Sequence, residues 1–444
     1  MEYLVLGVVA GTIAGLIPGV GIFATLLLLY PFILDLSFTD AFVFYLALVS
    51  TTQYVGSVTA TVFGMPGEAS SLPAVYEGNA LFKQGKGSLA ISGAAIGSVL
   101  GGLLTLALVV SLSSYFDYLS YIFSTYVQAF VLWGVLLLMV FLSNSGILAA
   151  LFVTLLGFAL ASIGCDYDAA ASHVGYCFVP FDNADLTTGL PFLPVVCAIY
   201  VFPQLLKSYN IHRDDTIQSV VKLKDHLLYF CRNITSALRG TVIGFFLGFT
   251  PGGSTVIAAN TAHKLEVSLQ KRKGTYSQGN YNALVSAETS NNAAAFTTLL
   301  PLFLLGLPLT GSEALFYNLM TMNGFRFEDI DHTFFMTHIA YNLVIINILA
   351  FCVAWPLAKY IKYLYMIPQK VISIAVFFTL CFVCWTVGSV LFQSEYYLIV
   401  FLTLLPIGYL LRNIDTTPLV FAFLLKERFL FNSFTIHDLI MSNF

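Results

Sequence analysis

Gly11-Thr12-Ile13-Ala14-Gly15-Leu16-Ile17-Pro18-Gly19 and Gly244-Phe245-Phe246-Leu247-Gly248-Phe249-Thr250-Pro251-Gly252 are one motif written twice, G-x-x-x-G-x-x-P-G, each time inside an apolar stretch. A Pro-Gly at membrane depth breaks a helix, and one such break in each half of a chain is the sequence mark of a secondary transporter built from two repeats. The freed N–H and C=O groups are tolerated there only against protein or a watery cavity. The repeated motif therefore points to a binding site as well as to a fold.

Composition agrees. Of 444 residues, 58% are hydrophobic and only 9% charged, with a mean hydropathy of +0.86. Soluble domains carry about a quarter charged residues, so this is an integral membrane protein with no room for a separate soluble domain. Only Glu2 precedes the first apolar stretch and no small-residue cleavage site follows, which argues against a signal peptide. A net charge of −4, with basic residues confined to short loops, excludes a nucleic-acid binder. The seven cysteines are scattered, and Cys381-x-x-Cys384 reads as small buried hydrophobes rather than a redox or metal motif. The sequence implies no metal and no cofactor other than a coupling ion.

Apolar runs fit to cross about 30 Å of hydrocarbon lie near 40–63, 88–112, 118–142, 146–163, 190–206, 286–308, 332–357, 370–392 and 396–411, with a weaker one near 416–431. Basic residues orient them. Lys207, Arg213, Lys222, Lys224, Arg232 and Arg239 precede the second Pro-Gly stretch, and Lys264, Lys271, Arg272 and Lys273 follow it. A single crossing would put one cluster outside, against the positive-inside rule. A re-entrant hairpin with its tip at Thr250-Pro251-Gly252-Gly253 keeps both inside. Five crossings then separate the two motifs, and an odd number inverts the second half. Sixteen of nineteen Lys and Arg fall in the cytoplasm; Arg326, Lys426 and Arg428 do not, and the last two suggest that the final segment stops short of crossing. The loop 164–189, with Asp166, Asp168, Asp182 and Asp185, and the loop 325–331 fall outside. The expected fold is thus an all-α polytopic membrane protein of two inverted-topology repeats, each with a re-entrant Pro-Gly hairpin and a broken helix. Residues 1–206 form the first repeat, 207–238 a cytoplasmic amphipathic linker with a helix near 222–232, and 239–444 the second. Lys264–Asn280 reads as a cytoplasmic loop.

Four elements could carry chemistry. They are Pro18-Gly19-Val20-Gly21 with Thr25; Gly56-Ser57-Val58-Thr59 leading to Gly64-Met65-Pro66-Gly67-Glu68; Pro251-Gly252-Gly253-Ser254-Thr255; and Glu288-Thr289-Ser290-Asn291-Asn292, read as opening a helix that breaks at Gly306-Leu307-Pro308. They form pairs, with Pro18 and Pro251 at an offset of 233 (251 − 18) and Pro66 and Pro308 at 242 (308 − 66). Helix N-termini at such breaks offer N–H groups and partial positive charge to a carboxylate. Freed carbonyls and hydroxyls suit Na⁺, and a protonatable Glu suits H⁺. The candidate substrate-binding set is Pro18, Gly19, Gly21, Pro66, Gly67, Pro251, Gly252, Gly253, Asn291, Asn292 and Pro308. The candidate cation-coupling set is Thr25, Ser57, Thr59, Ser254, Thr255 and Glu288. Gly11, Gly15, Gly244 and Gly248 read as helix-packing contacts. Glu68 and Glu313, each following a break, are equally open to a site or a structural role.

These motifs, in this order, resemble the large membrane subunit of the tripartite tricarboxylate transporters, the TctA family. The likeness runs from Pro18-Gly19 through Gly64-Met65-Pro66-Gly67-Glu68, Glu77-Gly78-Asn79-Ala80-Leu81-Phe82-Lys83-Gln84-Gly85-Lys86-Gly87 and Gly97-Ser98 with Gly101-Gly102. It continues through Pro251-Gly252, Glu288 with Asn291-Asn292-Ala293-Ala294-Ala295, Leu305-Gly306-Leu307-Pro308 and Asp415-Thr416-Thr417-Pro418. The resemblance implies cation-coupled carboxylate uptake across the inner membrane, with a small membrane subunit and a periplasmic solute-binding protein as partners. The chain departs from the family pattern at Leu309 and Phe296, where glycines are usual, and in the Ser172–Tyr176 stretch, which lacks an arginine.

The expected function is therefore import of a small organic anion, a di- or tricarboxylate foremost, by symport with H⁺ or Na⁺. A non-transporting homologue acting as partner or sensor stays open. A membrane-embedded enzyme is disfavoured, because His-Glu-x-x-His and Asp-rich diphosphate motifs are absent. The glycines of the 88–112 helix raise a homodimer, though core packing explains them equally well.

Overall fold

The computed structural model describes residues 2–17, 21–64, 66–113, 133–134, 136–137, 139–141, 143, 145–165, 177–180, 184–208, 223–250, 254–325, 327, 333, 335–357, 369–391, 395–424 and 426. Pro18, Gly19, Pro251, Gly252 and Gly253 lie outside these, as do most of the 118–142 run, most of the 164–189 loop and the end of the last segment. Contacts divide the chain into two units: 1–120 with 208–372, and 121–207 with 373–444. Each unit draws on both halves of the sequence.

The first unit is built from α1 (Glu2–Leu16), α2 (Gly21–Leu28), α3 (Tyr30–Leu34), α4 (Phe38–Phe63), α5 (Gly87–Ser113), α6 (Leu223–Arg232), α7 (Ile234–Leu247), α8 (Ser254–Arg272), α9 (Tyr281–Thr297), α10 (Leu299–Leu305), α11 (Gly311–Met322) and α12 (Tyr341–Leu357). Local chemistry sets the boundaries. Ser37 Oγ accepts from Asp40 N at 3.3 Å to start α4, and Asn280 Oδ1 accepts from Ala283 N at 3.0 Å to start α9. Gly64 (φ +66°) ends α4 and Gly306 (φ +57°) ends α10, both left-handed, a conformation glycine adopts without a Cβ penalty. α8 runs on to Arg272, so the expected loop from Lys264 is helical for its first half. α9 begins at Tyr281, so Glu288 sits two turns inside a helix rather than opening one.

Glycine faces bring the helices together. A Cβ on Gly7, Gly11 or Gly15 of α1 would lie less than 3.0 Å from the carbonyl oxygens of Phe44, Leu48 and Thr52 on α4. On α7, a Cβ on Gly240, Gly244 or Gly248 would crowd the carbonyls of Ser286, Ser290 and Ala294 on α9 in the same way. The first helices are related by the offset 233 and the second by 242 at all three positions. The glycines read as packing contacts are just that. Gly97 and Gly101 of α5 meet Thr289, and Gly102 meets Asn347 of α12, so these glycines serve internal packing and lend no support to a dimer face. Arg239 Nε and Nη2 hold Glu266 Oε2 at 3.0 and 2.7 Å, tying α7 to α8.

The amphipathic linker helix is present as α6, docked on α5, with His226 Nδ1 2.7 Å from Ser92 Oγ. The second unit packs Ile147–Ala161 against Thr417–Leu424, and Phe192–Val201 against Tyr396–Leu410, with glycines 157 and 408 at the crossings. Its two-residue pairing of Gly164–Cys165 with Cys177–Phe178 is the one sheet among the described residues. Otherwise the described structure is helical. Three described helices, Phe38–Phe63, Ala74–Leu112 and His338–Pro356, are long and apolar enough to cross a membrane.

Two predictions follow from this packing. Gly11→Val and Gly244→Val should each force a helix pair apart, costing about 1–3 kcal/mol and lowering the melting temperature of the detergent-purified protein. Gly134→Ala, where a Cβ meets nothing within 4 Å, should leave it unchanged. Burial pushes the His226 imidazole below its ordinary value, against a smaller opposing effect of Asp225. The unfolded chain therefore binds the proton more readily, and the contribution of His226 to stability is full above pH of about 6.5 and lost as pH falls below it. Hydrogen exchange in 223–232 should rise between pH 7.5 and 5.5, after correction for intrinsic rates, and His226→Gln should abolish that rise.

Candidate functional site

The site is assembled from what hydrocarbon makes costly. α4 carries Ser50-Thr51-Thr52-Gln53 and Ser57, and α9 carries Glu288 to Asn292, all buried. Some of these hydroxyls knit helices together. Thr52 Oγ1 donates to Leu48 O (2.7 Å) and Gly11 O (3.2 Å), and Thr59 Oγ1 to Gly15 O (2.9 Å). Thr25 Oγ1 bonds back to Gly21 O at 2.8 Å, an ordinary in-helix contact. Tyr54 OH donates to Asn347 Oδ1, and Asn347 Nδ2 reaches Val99 O at 3.2 Å, joining α4, α12 and α5.

Others are not used up in this way. Glu288 is 1% exposed, and its carboxyl meets Ser57 Oγ across the α4–α9 interface. Asn291 and Asn292 follow at three and four residues, on the same helical face. Asn292 Nδ2 bonds back to Glu288 O at 3.2 Å, while its Oδ1 and both amide atoms of the fully buried Asn291 have no partner among the described residues. The same holds for Gln53 Oε1, Ser290 Oγ, Ser70 Oγ and Ser254 Oγ. Unsatisfied buried polar atoms are rare in proteins and each needs a reason. Several of them lie on α4 and α9.

The first break packs beside this seam. Gly67 sits against Gly15 O and the Gly56 backbone, and Gly21 lies beside the Glu68 carboxylate, 3.0 Å from where its Cβ would be. The turn Ala69–Ser71 then packs on α8 and α9, next to the helix that Ser254 opens. At the second break Pro308 and Leu309 are buried. Glu313 Oε2 accepts from Leu309 N (2.7 Å) and Thr310 N (3.1 Å), and Thr310 Oγ1 accepts from Glu313 N (3.2 Å). Glu313 is therefore spent as a helix cap. At the first break Ser71 Oγ plays the corresponding part, accepting from Glu68 N at 3.4 Å. The cap and third-residue positions of the two breaks are again 242 apart, with carboxylate and hydroxyl exchanged.

Of the sequence-derived candidates, the structure brings Ser57, Glu288, Asn291 and Asn292 to one α4–α9 seam, and sets Gly21 and Gly67 at the first break. Thr25 and Thr59 have their hydroxyls engaged elsewhere. Thr255 is only half-buried, and Pro66 borders the first break. Sequence reasoning passed over Ser50, Thr51 and Gln53, although four consecutive polar residues in an apolar helix are signal enough. It also missed the Glu77 cluster treated below.

Such an arrangement, helices interrupted at buried breaks around a polar seam inside an apolar chain, defines a multi-pass α-helical membrane protein of the transporter class. Residues 1–422 match the family described as "Tripartite tricarboxylate transporter TctA family", and the chain belongs to it. Among curated relatives, it is 27% identical over 321 residues to an Agrobacterium vitis protein, "Uncharacterized 52.8 kDa protein in TAR-I ttuC' 3'region". That match covers 72% of this chain and 63% of the relative. It is 33% identical over 81 residues to "Uncharacterized protein in TAR-II ttuC' 3'region" of the same organism, covering 18% of this chain and 34% of that one. The matched stretch thus spans less than two thirds of either relative. No solved structure matches the chain.

If the unpaired amide of Asn291 exists for a ligand, its removal should stabilise the empty protein. Asn291→Leu is expected to raise the melting temperature, because a buried unsatisfied amide costs about 1–3 kcal/mol. Thr52→Val, which deletes a satisfied hydroxyl, should lower it or leave it unchanged in the same assay.

Proposed function

We propose that this chain is the substrate-translocating subunit of a secondary active transporter, importing a small organic anion, a di- or tricarboxylate, with H⁺ or Na⁺ across the inner membrane. The observation that carries the reading is the α4–α9 seam, where a buried carboxyl–hydroxyl pair lies one turn from a buried asparagine with no hydrogen-bond partner among the described residues. Glu288 and Ser57 would take the coupling cation. Asn291 and Asn292 would meet the anion, together with backbone N–H groups near Pro18-Gly19, Pro66-Gly67, Pro251-Gly252-Gly253 and Pro308. Arg239 is already paired with Glu266, so amide dipoles rather than a guanidinium would hold the carboxylates.

Two inverted repeats, 1–206 and 239–444 joined by the 207–238 linker, are the architecture we infer. The constant offsets in the glycine contacts, the left-handed caps and the helix caps support a repeat. Re-entrance is supported by length, since α1 and α7 have 15 and 14 residues, or about 22 Å at 1.5 Å per residue, short of a 30 Å core. Both Pro-Gly segments and both breaks fall in one compact unit, which favours motion of that unit as a body against a scaffold. Family membership brings in a small membrane subunit and a periplasmic solute-binding protein as partners.

The test is thermal stability of the detergent-purified chain against succinate, malate, tartrate and citrate, with Na⁺ present or replaced by choline. Ligand at a hundred times its dissociation constant should add about 2.7 kcal/mol. A shift that requires Na⁺ assigns Na⁺ as the coupling ion, and one indifferent to it assigns H⁺. No shift with any carboxylate, in a folded protein, would sink the direct-binding reading.

A further inference from the structure

Glu77 follows the first break, in the π-helical segment Ala74–Gly78 that begins the Ala74–Leu112 helix, and is 1% exposed. Its carboxylate collects four bonds, all from the second half of the chain. His263 Nε2 lies 3.0 Å and Tyr276 OH 3.2 Å from Oε1. Gly279 N at 2.9 Å and Asn280 N at 2.7 Å donate to Oε2. His263 belongs to α8, and Asn280 is the cap of α9, the helix that carries Glu288 and Asn291. Gln84 Nε2 adds a bond to Gln278 O at 2.9 Å. One carboxylate thus ties the first break segment to both the α8 arm and the start of the site helix.

The offsets identify a counterpart. His263 corresponds to Tyr30 at 233, and the Glu77 segment corresponds to α11 near Leu319 at 242. There the C-terminal end of α11 meets α3. Tyr30 OH lies 3.2 Å from Met322 Sδ, and Asn323 Nδ2 donates to Leu34 O at 3.0 Å. In both places the segment after one half's break is joined to the other half's hairpin arm. The chemistry differs. One joint is a buried carboxylate with four donors; the other is made of neutral groups, with Met322 and Asn323 exposed, beside a cavity of about 430 Å³ lined by Leu34, Phe38, Met320, Asn323 and Phe325.

We propose that Glu77 is the latch of a gate, clasping α8 and the start of α9 to the first break on the cytoplasmic face, and that the Tyr30–Met322 and Asn323–Leu34 contacts are the matching gate on the opposite face. The structure has the Glu77 gate shut and the other joint bordered by a cavity. Alternating access then exchanges the two, with release of Glu77 freeing α8. The latch geometry stands on its own, whereas its role as a gate rests on the transport reading.

Hydrogen exchange on the full-length chain in nanodiscs separates a latch from a brace. In Glu77→Ala, exchange in 259–285 should rise at least about tenfold, while exchange in 28–36 and 318–325 falls as the opposite gate tightens. His263→Leu and Tyr276→Phe, each deleting one bond, should show the same opposed pattern at smaller size, and serve should Glu77→Ala fail to fold. A rise on both faces, a change on neither, or a latch-side rise with the other face unmoved overturns the proposal. The carboxylate stability assay on the unaltered protein is read separately. Failure of the opposed pattern in a protein that still binds carboxylate removes the latch alone, and failure to bind removes the transport reading.

Discussion

A helix interrupted inside hydrocarbon has to bring its own hydrogen-bond partners, and the described architecture answers to that constraint. Each break begins with a left-handed glycine, Gly64 or Gly306, and within seven residues the chain has recaptured the freed amides. The two halves solve the problem with the same geometry and opposite residues. Where the first uses Glu68 at the cap and Ser71 beyond it, the second uses Thr310 and Glu313. A carboxylate can serve either position because both require only an acceptor facing a backbone N–H. Leu309 fits the second break for the same reason. Its amide is bonded to Glu313, and its side chain is buried.

Close helix approach is what gathers the rest of the polar content. With glycine along one face of α1 and of α7, the partner helices lie near enough for side-chain hydroxyls to reach across to carbonyls. Thr52 and Thr59 are consumed by α1. Once those bonds are made, the remaining polar groups of α4 and α9 are left to one another. Ser57 finds Glu288, whereas Asn291 finds no partner among the described residues.

Much of this was legible in the sequence, and the reasons for the rest are physical. The breaks at Gly64 and Gly306, the packing glycines and the amphipathic helix at 223–232 follow from local chemistry that a single chain displays. The paired offsets 233 and 242 are readable from the positions of Pro18, Pro251, Pro66 and Pro308 alone. Other features depend on partners far away in sequence. Nothing local marks Glu77 as buried, because its four donors lie 186 to 203 residues further on. The start of α9 was misplaced because Tyr281–Ala287 lacks a hydrophobic period to distinguish helix from loop, and Asn280 was not recognised as its cap. α8 was cut short for a related reason. Its polar second half is held by Arg239 and Gln270 on Glu266, contacts that composition does not show.

The unequal joints at Glu77 and Met322 bear on why a near-symmetric fold should be asymmetric in detail. Two repeats with identical joints would leave the two faces of the protein equally easy to open, and only the ligand would bias the choice. A buried carboxylate on one side and neutral groups on the other breaks that balance in the empty protein. The placement of the carboxylate also follows the charge pattern. Glu77 lies in the chain segment that bears Lys83 and Lys86, and its partners come from the segment that bears Lys264, Lys271 and Lys273. An acid buried among basic flanks gains long-range Coulombic support. On the gate reading proposed above, this distribution of charge is what favours a carboxylate latch at Glu77 over one at the Tyr30–Met322 joint.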